Sequence, residues 1–85
     1  MKKVVMFSAG WCSPCKQAKP IFQQLKESIT DVEFIIVDID ENHEMAQDFN
    51  IKSVPTFMLI EDNEELKRIE GAQNVVKIKE ILLKG

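Results

Sequence analysis

Hydrophobic and polar positions in the first half of the chain follow the pattern of a strand, a helix and a second strand. The continuous apolar runs at residues 4–7 and 34–37 are typical of strands buried on both faces. Between them, apolar residues recur at steps of three and four, as on one face of a helix: Cys15, Ala18, Phe22, Leu25 and Ile29. The pattern predicts two parallel strands joined by a right-handed helical crossover.

The second half of the chain has shorter elements. We predict a short helix that starts at residues 40–42 and has Met45, Ala46 and Phe49 facing inward. A strand at residues 57–60, a charged turn at residues 61–65 and an edge strand through Leu66 and Ile69 should follow. The last element should be an amphipathic helix from Val75 to residues 84–85. Asn63 can adopt a left-handed conformation in the turn. The close spacing of the last two strands makes them a hairpin.

These elements predict an α/β fold of order β-α-β-α-β-β-α, with a four-stranded mixed sheet and helices on both faces. The first strand should be central. The loop that leaves its carboxyl end should carry the active site, because open α/β sheets place their sites there. No linker or repeat divides the 85 residues, so we expect a single domain over residues 1–85.

Composition and charge narrow the classes of function. Lys plus Arg number 11 and Asp plus Glu 14, and this net charge of −3, without a basic face, argues against nucleic-acid binding. No apolar run approaches the length of a membrane span. The run after Met1 is too short for a signal peptide and leads straight into the cysteines. We therefore expect a cytoplasmic protein with no nucleic-acid or membrane partner.

The candidate chemistry lies in Cys12 and Cys15, the only cysteines, at the start of the first predicted helix. Unpaired N–H groups and the helix dipole at this end favour a negative charge. Such a setting can lower the pKa of a cysteine from about 8.5 to about 7, which favours thiol–disulfide exchange at neutral pH. We expect Cys12 to be exposed and to attack a substrate disulfide. Cys15, on the apolar stripe, should be buried and resolve the mixed disulfide.

A metal site is an alternative use for two cysteines. A closed zinc site needs four ligands, and beyond the pair the chain offers one histidine, His43, and scattered carboxylates. We therefore expect no metal and no other cofactor, with the Cys12–Cys15 disulfide itself as the redox group. His43 is expected to be a solvated residue on the short second helix.

The sequence resembles the thioredoxin family over essentially its whole length. The resemblance rests on segments in the family's order: Trp11-Cys12-Ser13-Pro14-Cys15-Lys16, Pro20 in the helix, Val54-Pro55-Thr56, and Gly71-Ala72. The chain lacks the extra N-terminal strand and helix of full-length thioredoxins, so it looks like the minimal form also seen in glutaredoxins. The resemblance implies a cis Val54–Pro55 peptide that faces the cysteines. It also implies a substrate-binding surface made of Trp11, Ser13, Pro14, Val54, Pro55, Gly71 and Ala72.

Three positions depart from the family's pattern. Ser13 stands where typical thioredoxins have glycine, and residues between the cysteines tune the redox potential. Met6 and Ile36 stand at the positions of the family's buried aspartate and lysine. That aspartate is thought to accept the proton of the second cysteine. Asp38 and Asp40 are near in sequence, but we expect them to close the second strand and to cap the following helix.

The resemblance implies a thiol–disulfide oxidoreductase that reduces disulfide-containing proteins, receives electrons from a thioredoxin-reductase-like donor and acts as a monomer. One alternative is a glutaredoxin that uses glutathione. Glutaredoxins usually carry Gly-Gly and a Cys or Ser with Asp before the last helix, and residues 70–74 lack that pattern. A further alternative is a binding module with the thioredoxin fold but no turnover, and the intact cysteine pair argues against it.

Overall fold

The computed structural model describes residues 2–71 and 75–80, and its elements follow the predicted order. The strands and helices are β1 (Lys2–Ser8), α1 (Ser13–Ser28), β2 (Glu33–Asp38), α2 (His43–Asp48), β3 (Thr56–Glu61), β4 (Glu64–Glu70) and α3 (Val75–Ile78). The predicted end of the last helix and the predicted site residue Ala72 lie outside the described residues.

The four strands form one mixed sheet in the order β2-β1-β3-β4, which confirms the central position of β1. β1 runs parallel to β2 and antiparallel to β3, and β3 pairs antiparallel with β4. The register sets Ser8 beside Asp38, Phe7 beside Thr56, and Thr56 beside Glu70. The carboxyl ends of β1, β2 and β4 and the amino end of β3 therefore meet at one end of the sheet.

Apolar layers cover both faces of the sheet, because the buried side chains of residues 4–7 point alternately to either face. α1 and α3 lie on one face, over a core that includes Val4, Met6, Phe22, Phe34, Phe57 and Ile78. α2 lies on the other face, where Met45 and Phe49 pack against Phe7 and its buried neighbours. The predicted helices on both faces are confirmed. Each large side chain buried in this way stabilises the fold by about 1.5–3 kcal/mol.

The hairpin between β3 and β4 turns on two residues in the left-handed conformation. Asp62 has φ 52° and Asn63 has φ 68°. Positive φ at both positions of a two-residue loop is the type I′ turn, whose twist matches that of the flanking strands. The prediction for Asn63 is confirmed. The left-handed conformation of Asp62 was not predicted.

Arg68 connects the edge strand β4 to the end of α2. Its Nη2 donates to the carbonyl oxygen of Phe49 and its Nη1 to that of Asn50, directly after the last residue of α2. The guanidinium also makes hydrogen bonds of 2.7 and 2.8 Å to both carboxylate oxygens of Glu65. These bonds hold the pKa of the Glu65 carboxyl below its ordinary value. Because α2 has no fully buried residue of its own, this link helps to hold it on the sheet.

We predict that Arg68→Met lowers the free energy of unfolding by about 1–2 kcal/mol, because the carbonyl groups at the end of α2 lose a charged donor. Urea denaturation followed by circular dichroism measures the change.

Glu65→Gln is the matched control, because it weakens the exposed ion pair and leaves the contact with Phe49 in place. It should cost less than about 1 kcal/mol. The cost of Glu65→Gln should shrink in acid. Because the pKa of Glu65 is lower in the folded protein, its carboxylate stabilises the fold at pH values above its ordinary pKa, and this stabilisation is lost as the pH falls through the lowered pKa. Equal losses in the two variants would mean that the contacts with the carbonyl groups contribute nothing.

Candidate active site

Cys12 is the N-cap residue of α1, in the loop that follows the central strand β1. Its backbone is extended, with φ −94° and ψ 107°, and its Sγ accepts a hydrogen bond from the backbone N–H of Cys15 at 3.2 Å. At most helix starts an oxygen accepts this bond. Here the sulfur does so, and it therefore lies at the positive end of the helix dipole. The predicted position of the sulfur at the helix start is confirmed.

Cys12 and Cys15 form a disulfide, with their Cα atoms 5.3 Å apart. Cys15 is fully buried, as predicted, on the apolar stripe of α1. The prediction that Cys12 is exposed is wrong, because only 5% of its surface is accessible. The disulfide, the surrounding apolar core and the carbonyl oxygen of Val54, 3.6 Å from Sγ of Cys12, contribute to this burial. Cys12 remains the more accessible of the two residues, so an incoming group meets it first.

The loop before β3, with Val54 and Pro55, lies next to the disulfide and forms one border of the site. The Val54–Pro55 peptide bond is cis, as the family resemblance implied. Val54 is half-buried, and Pro55 is buried and accepts a hydrogen bond at its carbonyl oxygen from the N–H of Gly71 at 2.8 Å. Gly71 has φ +89°, a conformation that disfavours any side chain although the space around its Cα is open. The bond with Pro55 therefore joins the end of β4 to this border.

Exposed residues flank the disulfide on the side of α1. Trp11 is 69% exposed, and Ser13 and Pro14 are exposed in the first turn of the helix. The indole Nε1 of Trp11 donates a hydrogen bond to Oδ2 of Asp40 at 3.2 Å. A large ring that is exposed yet held by a hydrogen bond suits a surface that a partner covers.

Asp40 contacts Trp11 and does not cap α2, so its predicted capping role is wrong. The N-cap of α2 is Asn42, and the N–H of Asp40 donates to Oδ1 of Asp38 at 2.8 Å. Asp38 is the last residue of β2, as predicted. The link to Trp11 was missed because it joins residues 29 positions apart. One signal was available, since the loops after two adjacent parallel strands leave the same end of the sheet.

A second contact that the sequence did not predict lies beside Val54. Ser53 Oγ donates to Oε2 of Glu70 at 3.3 Å, and the carbonyl oxygen of Ser53 accepts a bond of 2.7 Å from Oγ1 of Thr56. These bonds tie the residue before Val54 to the end of β4 and to the start of β3. They therefore help to fix the path of the chain into the cis peptide.

The sheet positions that hold the family's buried aspartate and lysine are apolar in this chain. Met6 is fully buried, and its partner in the register of β1 and β2 is Ile36. Neither side chain can accept a proton. Whatever group deprotonates Cys15, it is not a carboxylate at position 6.

Residues 2–71 and 75–80 contain no group of three or more His, Cys, Asp or Glu side chains placed to hold a metal ion. His43 is exposed at the start of α2, as predicted. Within the same ranges, no helix has the length and apolar character needed to cross a membrane.

Comparisons with known proteins agree with this geometry. The thioredoxin family model matches residues 1–84. The thioredoxin of Ophiophagus hannah is 41% identical over 81 residues, which cover 95% of this chain and 76% of that protein. The crystal structure of Schistosoma mansoni thioredoxin superposes with a TM-score of 0.89 at 37% identity, covering 98% of this chain and 75% of that one.

The plant relatives are longer than this chain. Thioredoxin H2-1 of Oryza sativa subsp. japonica is 45% identical over 69 residues, which cover 81% of this chain and 50% of that protein. The chain therefore spans about half the length of such curated relatives.

We predict that, in the reduced protein, a limiting amount of iodoacetamide labels Cys12 at least about tenfold faster than Cys15. Cys12 accepts the N–H bond that favours a thiolate, and Cys15 has no accessible surface. Peptide mapping by mass spectrometry measures the ratio. The same protein in denaturant is the control, where both cysteines should label at similar rates. Similar rates in the folded protein would contradict the assigned geometry.

Proposed function

Since the chain belongs to the thioredoxin family, we propose that it is a dithiol–disulfide oxidoreductase that reduces disulfide bonds in proteins. The observation that carries this proposal is the position of Cys12. It is the N-cap of α1, it is bonded to Cys15, and it lies beside the carbonyl group of Val54. Such a site combines a stabilised thiolate, a resolving thiol and a backbone that can hold a substrate.

The first step is attack by Cys12 in the reduced protein. Its thiolate is stabilised by the N–H of Cys15 and by the dipole of α1. The thiolate attacks one sulfur of a substrate disulfide. A bond between Cys12 and that sulfur forms, the substrate S–S bond breaks, and the other substrate sulfur leaves as a thiolate that takes a proton from water or from the thiol of Cys15.

Cys15 completes the reduction. It loses its proton and attacks Sγ of Cys12, so that the Cys12–Cys15 bond forms and the mixed disulfide breaks. The second substrate sulfur leaves as a thiolate, and two electrons have passed from the protein to the substrate. Because Met6 and Ile36 cannot accept the proton of Cys15, we assign this role to water or to the departing substrate thiolate.

Val54 is proposed to hold the substrate during both steps. Its carbonyl oxygen is 3.6 Å from Sγ of Cys12, which puts backbone hydrogen-bonding groups next to the attacking sulfur. An extended substrate segment that pairs with this backbone would present its own sulfur to Cys12, as in strand addition. Trp11, Ser13, Pro14 and Gly71 would border the segment.

The oxidised protein must regain two electrons in each cycle, and the proposed donor is a reductase of the thioredoxin-reductase type. The Cys12–Cys15 pair carries the electrons, so the cycle needs no organic cofactor or metal. We also propose that the protein works as a monomer in the cytoplasm. The proposed location is supported by the cysteines. Both cysteines of the sequence are in the proposed redox pair, so none is left for the structural disulfides that are typical of secreted proteins.

A coupled assay tests the proposed function. It supplies insulin as the disulfide protein and NADPH as the electron source, with either thioredoxin reductase or glutathione and its reductase. We predict NADPH oxidation with thioredoxin reductase. Turnover only in the arm with glutathione and its reductase would indicate a glutaredoxin. No turnover in either arm would indicate a binding module.

Cysteine variants serve as controls for the mechanism in the same assay. Cys12→Ser should abolish turnover, because the attacking sulfur is gone. Cys15→Ser should accumulate a mixed disulfide between Cys12 and the substrate, visible as an added mass that a reductant removes. Full multiple turnover by Cys15→Ser would show that the two roles are wrongly assigned.

A further inference from the structure

We propose that the surface around Cys12 selects disulfide-bearing segments with lysine or arginine next to the cysteine, through the carboxylates of Asp40 and Glu70. This inference rests on the proposed reduction of protein disulfides and names the class of substrate that the site prefers. Asp40 lies in the turn after β2, and Glu70 is the last residue of β4, at the same end of the sheet. Each is one hydrogen bond away from a residue adjacent in sequence to Cys12 or Val54.

Asp40 reaches the site through Trp11, the residue before Cys12. Its Oδ2 accepts the indole N–H at 3.2 Å, and its backbone N–H is held by Oδ1 of Asp38. Asp40 is exposed, as is most of the Trp11 ring. A carboxylate beside an exposed indole suits a cation, because the charge attracts it and the ring face offers a cation–π contact.

Glu70 reaches the site through Ser53, the residue before Val54. Its Oε2 accepts the hydroxyl hydrogen of Ser53 at 3.3 Å, and its backbone is paired with that of Thr56 in the sheet. Glu70 is exposed. A substrate that pairs with the backbone of Val54 would therefore carry its flanking side chains past this carboxylate.

The donors in these two contacts, an indole N–H and a hydroxyl group, are neutral and bring no positive charge to either carboxylate. Glu65 is the contrasting case, since the guanidinium of Arg68 pairs with both of its oxygens. Glu70 also contributes to the raised pKa of Arg68, but the hydrogen bond with Glu65 is the larger cause. The carboxylate of Glu65, and not that of Glu70, is therefore the main counter-charge of Arg68.

Apart from Arg68, the cations nearest in sequence to Cys12 and Val54 are Lys16 and Lys52. Both are exposed, and a lysine side chain places a strongly hydrated charge at the end of a long flexible chain. The carboxylates of Asp40 and Glu70 are instead held by hydrogen bonds. We therefore expect the fixed negative charges to dominate the selection of substrates.

Peptides with one cysteine test this selection. The cysteine is flanked on both sides by lysine, by glutamine or by glutamate and is linked to thionitrobenzoate through a disulfide. The reduced protein converts each molecule to peptide thiol and coloured thionitrobenzoate, and is itself oxidised to the Cys12–Cys15 disulfide. Stopped-flow absorbance at low ionic strength gives the second-order rate constants. We expect the lysine peptide to react about tenfold faster than the glutamate peptide, with the glutamine peptide between them.

The readout for variants is the ratio of the lysine and glutamate rates, because a general loss of activity cancels in it. Glu70→Gln and Asp40→Asn should each reduce this ratio by about threefold, and high salt should bring it close to unity. Glu27→Gln is the matched control. It removes the same charge near the far end of α1, about 20 Å of helix away from Cys12, and should leave the ratio unchanged.

Three results would overturn the inference. Equal rates for the three peptides would mean that the site does not read charge, while the reductase function would stand. An equal fall of the ratio in Glu70→Gln, Asp40→Asn and Glu27→Gln would assign the preference to net charge instead of these two residues. No reaction with any peptide would refute the proposed function itself, and the inference with it.

Discussion

The position of one sulfur atom, Sγ of Cys12 at the start of α1, is the constraint on which the rest of this site depends. Cys12 can accept the N–H of Cys15 only because the chain leaves β1 and enters α1 within a few residues. β1 is buried between two apolar layers, which fixes the point of departure. The stripe of α1 that packs on the sheet fixes the direction of the helix and buries Cys15. The redox pair is therefore a consequence of how two core elements pack.

The topology of the sheet explains how distant parts of the sequence gather around that sulfur. The register brings the ends of β1, β2 and β4 and the start of β3 to one end of the sheet. The loops that carry Trp11, Asp40, Val54 and Gly71 all leave from that end. Hydrogen bonds then connect them in pairs, Trp11 with Asp40 and Pro55 with Gly71. Each loop of the site is thus braced by another loop, and the end of the sheet carries a connected surface.

Periodicity was sufficient to predict the elements, because burial on a strand or a helix imposes a repeat that the residues must follow. It predicted the stripe of α1 and the central position of β1. It could not predict the bonds from Trp11 to Asp40 or from Ser53 to Glu70, since these depend on loop conformations that leave no repeat. The low exposure of Cys12 could not be predicted for a related reason, because the carbonyl group next to its Sγ belongs to Val54, 42 positions away.

The central claim is that the Cys12–Cys15 pair is a reductant of the thioredoxin type, and its redox potential tests this most directly. The protein is equilibrated with glutathione buffers of graded ratio, the thiols are trapped by alkylation, and the two forms are quantified by mass spectrometry. The account predicts a value near about −270 mV, typical of thioredoxins. A value near about −200 mV, in the range of glutaredoxins, would contradict it.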